Sequence, residues 1–167
     1  MREMILQTLE HWFGNAYALI VLVGSAIPVT EMRATIPLGI LVWNMNPWYV
    51  MFLGFLGALL PVPLLLLFFE EIMILMHKIP ASKKLALWID EKVQKNARQF
   101  EKSTELALII FVAIPLPGTG LWTGSMVASV LGFKFWRSLI CVGLGGVLSA
   151  IIMTVVSVFF SSMFSLL

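Results

Sequence analysis

The chain has 167 residues, of which 60% are hydrophobic and 12% are charged, and its mean hydropathy is +0.97. Water-soluble domains are roughly 45–50% apolar and about 25% charged, so this composition indicates an integral membrane protein. The net charge of +2 is too small to indicate a nucleic-acid partner. A single cysteine, Cys141, excludes an intrachain disulfide and a cysteine-based zinc or redox centre.

The N-terminal region contains an amphipathic segment followed by an apolar arm. Apolar residues recur on one helical face over residues 4–13, which predicts a helix lying along the membrane surface. The next stretch, "AYALIVLVGSA" (16–26), resembles the core of a signal peptide. Because the residues before it carry Arg2 against Glu3 and Glu10 and are not basic, we interpret 16–26 as part of the mature membrane domain.

Two long apolar stretches are predicted to cross the membrane. Residues 47–69 run for 23 positions without a charge, and such a helix, about 34 Å long, exceeds a hydrocarbon core of about 30 Å. Residues 136–160 form the second predicted span. Between the spans, residues 70–105 hold seven basic and six acidic side chains. Within this polar linker, helical periodicity over 85–100 predicts an amphipathic helix with Ser82 as its N-cap.

We interpret residues 1–167 as one membrane domain built from two related halves. The halves, 1–69 and 106–167, flank the linker 70–105. Each contains a proline-broken pair of apolar arms and then a glycine-containing span, which predicts an internal repeat. The echoed features are "IPLG" (36–39) and "IPLPG" (114–118), Trp48 and Trp136, and the glycines Gly54 and Gly57 with Gly143 and Gly146. We expect these glycines, together with Gly145, to allow close helix packing.

The proline-broken segments admit two topologies. Each arm has about 11 to 13 residues, some 17–20 Å as a helix, which is too short to cross alone. If Pro28 and the cluster around Pro115 are sharp turns, each segment is a re-entrant hairpin and the repeats are inverted. If the prolines only kink a helix, each half crosses twice and the repeats are parallel. The predicted fold class is an all-α integral membrane protein, an inverted repeat of two re-entrant helical hairpins, each followed by a transmembrane helix, with amphipathic surface helices.

Basic residues set the expected orientation. In the hairpin topology the linker 70–105 shares a side with Lys134 and Arg137, so the positive-inside rule puts the linker in the cytoplasm and both termini outside. In the kinked topology the linker shares a side with Arg2, and both termini are inside. We expect a multi-pass protein of the cell membrane with a cytoplasmic linker.

Glu31 and Arg33 are the only charged residues between Glu10 and Glu70. A charge near the bilayer centre costs at least about 2.5–3.5 kcal/mol on insertion scales, so both side chains are expected to face protein or water. The two charges either neutralise each other at a helix end or form a binding site for a substrate or ion.

We favour a two-part anion site around these charges. Thr30 is the expected N-cap of the second arm, which puts Glu31 in a first helical turn where the helix dipole favours a carboxylate. A second helix start is expected at "PLPGTG" (115–120), with Thr119 as its cap. In the inverted topology the two starts meet at mid-depth and, with Arg33, form an anion-accepting pocket. The predicted binding residues are Thr30, Glu31, Arg33, Thr35, Pro37, Pro115, Pro117, Gly118, Thr119, Gly120 and Thr123.

Other polar residues are weaker candidates. The hydroxyls of Thr35, Thr123 and Ser125 can equally bond back to their own helices. His11 and His77 have no partners at metal-ligand spacing, so we expect no metal site. The sequence has no nucleophile–base pair, phosphate-binding loop or dinucleotide fingerprint, so we expect neither enzymatic activity nor a cofactor.

Two motifs carry a family resemblance. "EMRATIPLGI" (31–40) and "IPLPGTGLWTGSMVASVLG" (114–132) resemble the small multidrug export proteins and, more distantly, the DedA or VTT superfamily. For that superfamily the resemblance implies two re-entrant hairpins in an inverted repeat. It also implies members that move lipids between leaflets, including carrier lipid phosphates such as undecaprenyl phosphate. DedA-like proteins have an acidic residue in the first hairpin, matched by Glu31, and an arginine in the second, where this chain has none.

The expected function is therefore a membrane transporter that translocates an anionic lipid or lipid phosphate between leaflets. Glu31 either neutralises Arg33 in the empty site or takes a proton that couples transport. The alternatives are a small-molecule, multidrug or ion exporter and a non-transporting membrane assembly factor. Expected partners are membrane lipids, the anionic substrate and, where transport is coupled, protons. Because two full crossings provide little core, we expect a homo-oligomer.

Overall fold

The structure is a computed structural model that describes residues 16–79, 82–97, 105–116 and 119–164. The surface helix predicted over 4–13 lies outside the described residues. In the described ranges every regular element is a helix, so the all-α prediction is confirmed for them. The elements are α1 (Ala16–Ala26), α2 (Glu31–Pro37), a π-helical segment (Leu38–Val42), α3 (Pro47–Leu59), α4 (Val62–Lys78), α5 (Lys83–Ala97), α6 (Glu105–Ala113), α7 (Leu121–Val130) and α8 (Phe135–Phe164).

Two stretches are long and apolar enough to cross a membrane, as predicted. They are Pro47–Phe69 and Phe135–Met163, each with a mean hydropathy of 2.5. Large apolar side chains stand exposed along both, which is rare over such lengths on a protein surface that meets water. Examples are Phe52, Leu64, Leu67, Val155 and Phe159. Length, composition and exposure together fit a protein that lies in a lipid bilayer.

The first of these stretches is interrupted, which the sequence analysis did not predict. Asn46 caps α3, since its Oδ1 accepts the backbone N–H of Trp48 at 3.0 Å, and Pro47 occupies the first helical position. The helix α3 then ends at Leu59, and α4 starts after Pro61. Proline has no N–H to continue the helical ladder, so the chain makes a short turn there. The helix α4 continues beyond the predicted span into the polar linker and ends at Lys78.

By its contacts the chain divides into two compact units. The first comprises residues 1–58 and 150–167, and the second comprises residues 59–149. The first proline-broken segment therefore belongs to the first unit, and the second segment belongs to the second unit.

In the first unit the chain reverses direction between α1 and α2. The rings of Tyr17 and Trp43 stack at a centroid distance of 4.8 Å, at the ends of the broken segment farthest from the turn. Near the turn, the hydroxyls of Ser25 and Thr35 lie 2.5 Å apart. Contacts at both ends place the two arms side by side and antiparallel.

Glycines bring α3 against both arms. A Cβ on Gly57 would stand 2.0 Å from the carbonyl oxygen of Leu22 in α1, and a Cβ on Gly54 would stand 3.0 Å from Ile36 in α2. The predicted packing role is confirmed for both glycines. Backbones can approach this closely only where the side chain is a hydrogen atom.

In the second unit α7 occupies a central place, in contact with α4, α5 and α6. A Cβ on Gly124 would stand 2.4 Å from the side chain of Val112, so α6 and α7 are in close contact near their connection. The helix α8 approaches α6 at Gly145, where a Cβ would stand 2.7 Å from the carbonyl oxygen of Ile109. The packing role predicted for Gly143 is wrong, because nothing lies within 4 Å of a Cβ built there.

One ion pair and one histidine–carboxylate hydrogen bond join elements of the second unit. Arg137 at the start of α8 lies 3.3 Å from Glu105 at the start of α6. The chain between Glu105 and Arg137 therefore reverses direction, so that the start of α8 lies beside the start of α6. His77 at the end of α4 contacts Asp90 in α5 at 2.7 Å. The sequence analysis did not identify either pair.

Candidate functional site

Glu31 and Arg33 form a buried ion pair beside the turn of the first segment. The Oε2 atom of Glu31 lies 3.8 Å from the Nε atom of Arg33. The Glu31 side chain is 7% exposed and the Arg33 side chain is 16% exposed, so the carboxylate is deeper than the guanidinium. At this distance the two groups attract each other without forming a short, charge-assisted hydrogen bond. The arrangement leaves Arg33 the more accessible partner.

The backbone at Glu31 adopts a left-handed conformation with a φ of 45°. Such values are uncommon for a residue other than glycine, and cost of order 1–3 kcal/mol when sparsely populated regions are held by the fold. The N–H of Glu31 donates to the carbonyl of Ile27 at 2.9 Å, which fixes the turn on its N-terminal side. This conformation holds the carboxylate-bearing residue where α2 begins.

The cap predictions for the two threonines are wrong, because Thr30 makes no side-chain capping bond to α2 and Gly120 rather than Thr119 occupies the N-cap position of α7. The hydroxyl of Thr30 donates to the carbonyl of Gly24 in the preceding arm at 2.5 Å. The hydroxyl of Thr119 donates to the carbonyls of Ile114 and Leu116, at 2.7 and 2.9 Å. Carbonyls at the end of a helix lack partners within it, so these hydroxyls compensate for the end of the preceding arm.

Ser82 in the linker behaves in the same way. Its hydroxyl donates to the carbonyls of Met76 and Ile79 at the end of α4, at 2.9 and 3.2 Å. Ser82 directly precedes α5, and its carbonyl accepts the backbone N–H of Ala86 at 2.9 Å, whereas its hydroxyl interacts with the end of the preceding helix.

A pair of buried hydroxyls holds the first segment together. Ser25 donates to the carbonyl of Val21 at 2.6 Å and also contacts Thr35, whose hydroxyl lies 3.2 Å from the carbonyl of Glu31. Thr35 was a predicted site residue, whereas Ser25 was missed. Ser25 could have been identified from the sequence, because it is a polar residue within an apolar arm. It lies five residues before Thr30, and Thr35 lies five residues after Thr30.

The second turn contains polar backbone but no charged side chain among its described residues. Gly120 precedes α7 with a φ of 122°, a conformation open to glycine, and is buried. Pro115 and Thr123 are half-buried, whereas Pro117 and Gly118 lie outside the described residues. Ser125 bonds back to the carbonyl of Leu121 at 2.6 Å, which confirms the structural alternative for this residue.

The predicted residues thus fall into two groups. The structure brings Glu31 and Arg33 together and places Thr30, Thr35 and the half-buried Pro37 in the same segment. The residues of the second turn belong to the other unit, so a pocket shared by both turns remains a prediction. Among the described residues, no three histidine, cysteine, aspartate or glutamate side chains gather where they could hold a metal ion.

Comparison with known proteins identifies the family. Residues 31–152, most of the chain, match the family model described as "Putative small multi-drug export protein". The chain belongs to this family. No curated protein and no solved structure matches the chain. The matched region begins at Glu31, so it includes the Glu31–Arg33 pair, both proline-containing motifs and most of the second predicted span. Family membership and the two apolar stretches support a location in the membrane and are consistent with transport.

Proposed function

We propose that this family member is a membrane transporter that moves an anionic lipid or lipid phosphate between leaflets. The observation that carries the proposal is the buried Glu31–Arg33 pair within an otherwise apolar segment. Charged side chains inside a membrane are costly to insert, so a chain that places two of them there gains from a role other than anchoring.

The geometry of the pair suggests how it would work. Arg33 is the more exposed partner, and a guanidinium suits a phosphate because its planar array of donors can form two parallel hydrogen bonds. The 3.8 Å separation from Glu31 leaves Arg33 able to change partners. When a headgroup binds Arg33, the attraction between Arg33 and the buried Glu31 carboxylate is weakened, which favours protonation of Glu31. Glu31 then couples or gates the movement of the headgroup.

We further propose that both proline-broken segments are re-entrant and that the two halves are inverted, as in DedA-like proteins. The Tyr17–Trp43 stack and the Glu105–Arg137 ion pair support this, because each brings together residues at the two ends of a broken segment. In this topology the linker is cytoplasmic, since it shares a side with Lys134 and Arg137.

Reconstituted vesicles provide the test. The purified protein is inserted into phosphatidylcholine vesicles with a trace of fluorescent phosphatidic acid, and loss of outer-leaflet fluorescence is followed by dithionite quenching. Arg33→Ala and Glu31→Gln should each abolish protein-dependent movement. Arg137→Ala, which removes the same charge from an exposed ion pair, is the matched control and should retain it. Movement that survives both changes at Glu31 and Arg33 would overturn the assignment.

An exporter of small soluble molecules is a second candidate, favoured by the family description. It predicts flux of a water-soluble dye, driven by a proton gradient and independent of the lipid headgroup. The same vesicles, loaded with a dye such as ethidium and given an imposed pH gradient, separate the two functions. Dye flux that requires Glu31, with no movement of the fluorescent lipid, would favour the exporter.

A further inference from the structure

Ser149 is the central residue of the apolar stretch Phe135–Met163 and is fully buried. Its hydroxyl has no hydrogen-bond partner among the residues that the structure describes. Other hydroxyls of α8 bond back to the carbonyl four residues earlier, as helical serines and threonines commonly do. These are Ser138 to Lys134 at 3.2 Å, Thr154 to Ala150 at 2.8 Å and Ser157 to Met153 at 2.7 Å.

The buried face of α8 near Ser149 consists mostly of small side chains, with Val142 as its larger buried residue. Gly145 and Gly146 are buried one turn before it, and Cys141 is buried two turns before it. The backbone of α6 comes close at Gly145. A Cβ atom built on Gly145 would lie 2.7 Å from the carbonyl oxygen of Ile109. The side chain of Val112 in α6 also packs against Gly145, so Ser149 lies where α8 meets α6 through small residues.

We propose that Ser149 is a hydrogen-bonding site inside the membrane domain for an oxygen that enters from outside the protein. The ligand is either water or a phosphate oxygen of an anionic phosphomonoester lipid such as phosphatidic acid. A buried hydroxyl without a partner is costly, most of all at membrane depth, and buried waters typically bind such groups. The inference concerns α8 alone and stands apart from the assignment of Glu31 and Arg33.

Thiol labelling tests this site directly. Ser149→Cys is made in a Cys141→Ala background and placed in phosphatidylcholine nanodiscs, and modification by 2-aminoethyl methanethiosulfonate is measured by mass spectrometry. The reaction requires a thiolate, which forms where water is present. Ala150→Cys, buried at the same depth, is the matched control and should stay unmodified. Modification at position 149 alone supports the site, and equal protection of both positions overturns it.

A second arm distinguishes the two ligands. The labelling is repeated with phosphatidic acid added to the nanodiscs. If the rate at position 149 is unchanged, the ligand is water. If the rate falls, and the same amount of additional phosphatidylcholine does not lower it, a phosphate oxygen of phosphatidic acid occupies the site at Ser149. Either result supports a hydrogen-bonding site at Ser149.

If the cysteine variant fails to fold, the thermal stability of Ser149→Ala tests the proposal instead. Ser149→Ala removes only the hydroxyl, and Ser138→Ala shows the effect of removing a buried hydroxyl that has a protein partner. If Ser149 binds water, the unfolding midpoint of Ser149→Ala in detergent stays at or falls below the wild-type value. A midpoint above wild type would show that the hydroxyl lies unsatisfied in a dry interior, and would overturn the proposal.

Discussion

Tyr17 stacks on Trp43 with a centroid distance of 4.8 Å and an interplanar angle of 18°. In one continuous helix, at about 1.5 Å per residue, these two residues would be farther apart than the hydrocarbon core is thick, about 30 Å. The stack therefore joins the two ends of a segment that has reversed at its proline-containing turn. The contact supports the re-entrant topology proposed above for this segment.

The stack should make a measurable contribution to stability. A double-mutant cycle with Tyr17→Ala and Trp43→Ala is expected to give a coupling energy of about 0.5–1.5 kcal/mol, the range for aromatic pairs. Unfolding in mixed micelles provides the measurement. A cycle of Tyr17→Ala with Trp48→Ala, whose ring is exposed, should give a coupling near zero. Equal couplings in the two cycles would contradict the stacked arrangement.

Crosslinking tests the reversal in the membrane. Ser25→Cys with Thr35→Cys, in a Cys141→Ala background, should form a disulfide readily under mild oxidation because the native hydroxyls lie 2.5 Å apart. A kinked helix would hold these positions about 15 Å apart, beyond the reach of a disulfide. Val23→Cys with Thr35→Cys is the control, since Val23 is exposed, and it should crosslink poorly. A mobility shift before and after reduction reports the result.

Two glycines should respond oppositely to the same substitution. Gly57→Ala should strongly destabilise the protein, because the new Cβ would stand 2.0 Å from the Leu22 carbonyl oxygen and force α1 and α3 apart. Gly143→Ala meets nothing within 4 Å and should stabilise α8 by up to about 1 kcal/mol through helix propensity. Thermal unfolding in detergent compares the two. A neutral Gly57→Ala would show that the helices are not in contact there.

A double substitution separates binding from stability at Glu31 and Arg33. Arg33→Ala removes the positive charge that faces the buried Glu31 carboxylate, and the free energy of unfolding should fall by up to about 3–5 kcal/mol, the range for breaking a buried pair. Glu31→Gln with Arg33→Gln removes both charges and should recover most of this loss. The double variant should nevertheless move no lipid phosphate in the vesicle assay. Wild-type movement by the double variant would assign the pair to stability alone.

The sequence was informative about the second turn and less so about its threonine. The motif at 114–120 identified a break in the apolar pattern, and Gly120 has a positive φ there. Whether the Thr119 hydroxyl interacts with α7 or with the chain that follows α6 depended on the path of the turn, and only the folded turn showed that it donates to the carbonyls of Ile114 and Leu116. Spacing in a sequence locates a hydroxyl but does not give its direction.

The sequence by itself indicated a membrane protein and determined the two apolar stretches, the breaks near Pro28 and Pro115 and the positions of Glu31 and Arg33. These follow from composition and from local backbone chemistry, which depend on near neighbours in the chain. Only the tertiary structure decided that the first broken segment reverses, that Gly145 rather than Gly143 packs against α6, and that Ser25 faces Thr35. Each of these depends on contacts between residues distant in sequence, where packing at full density selects one arrangement among several that local preferences allow.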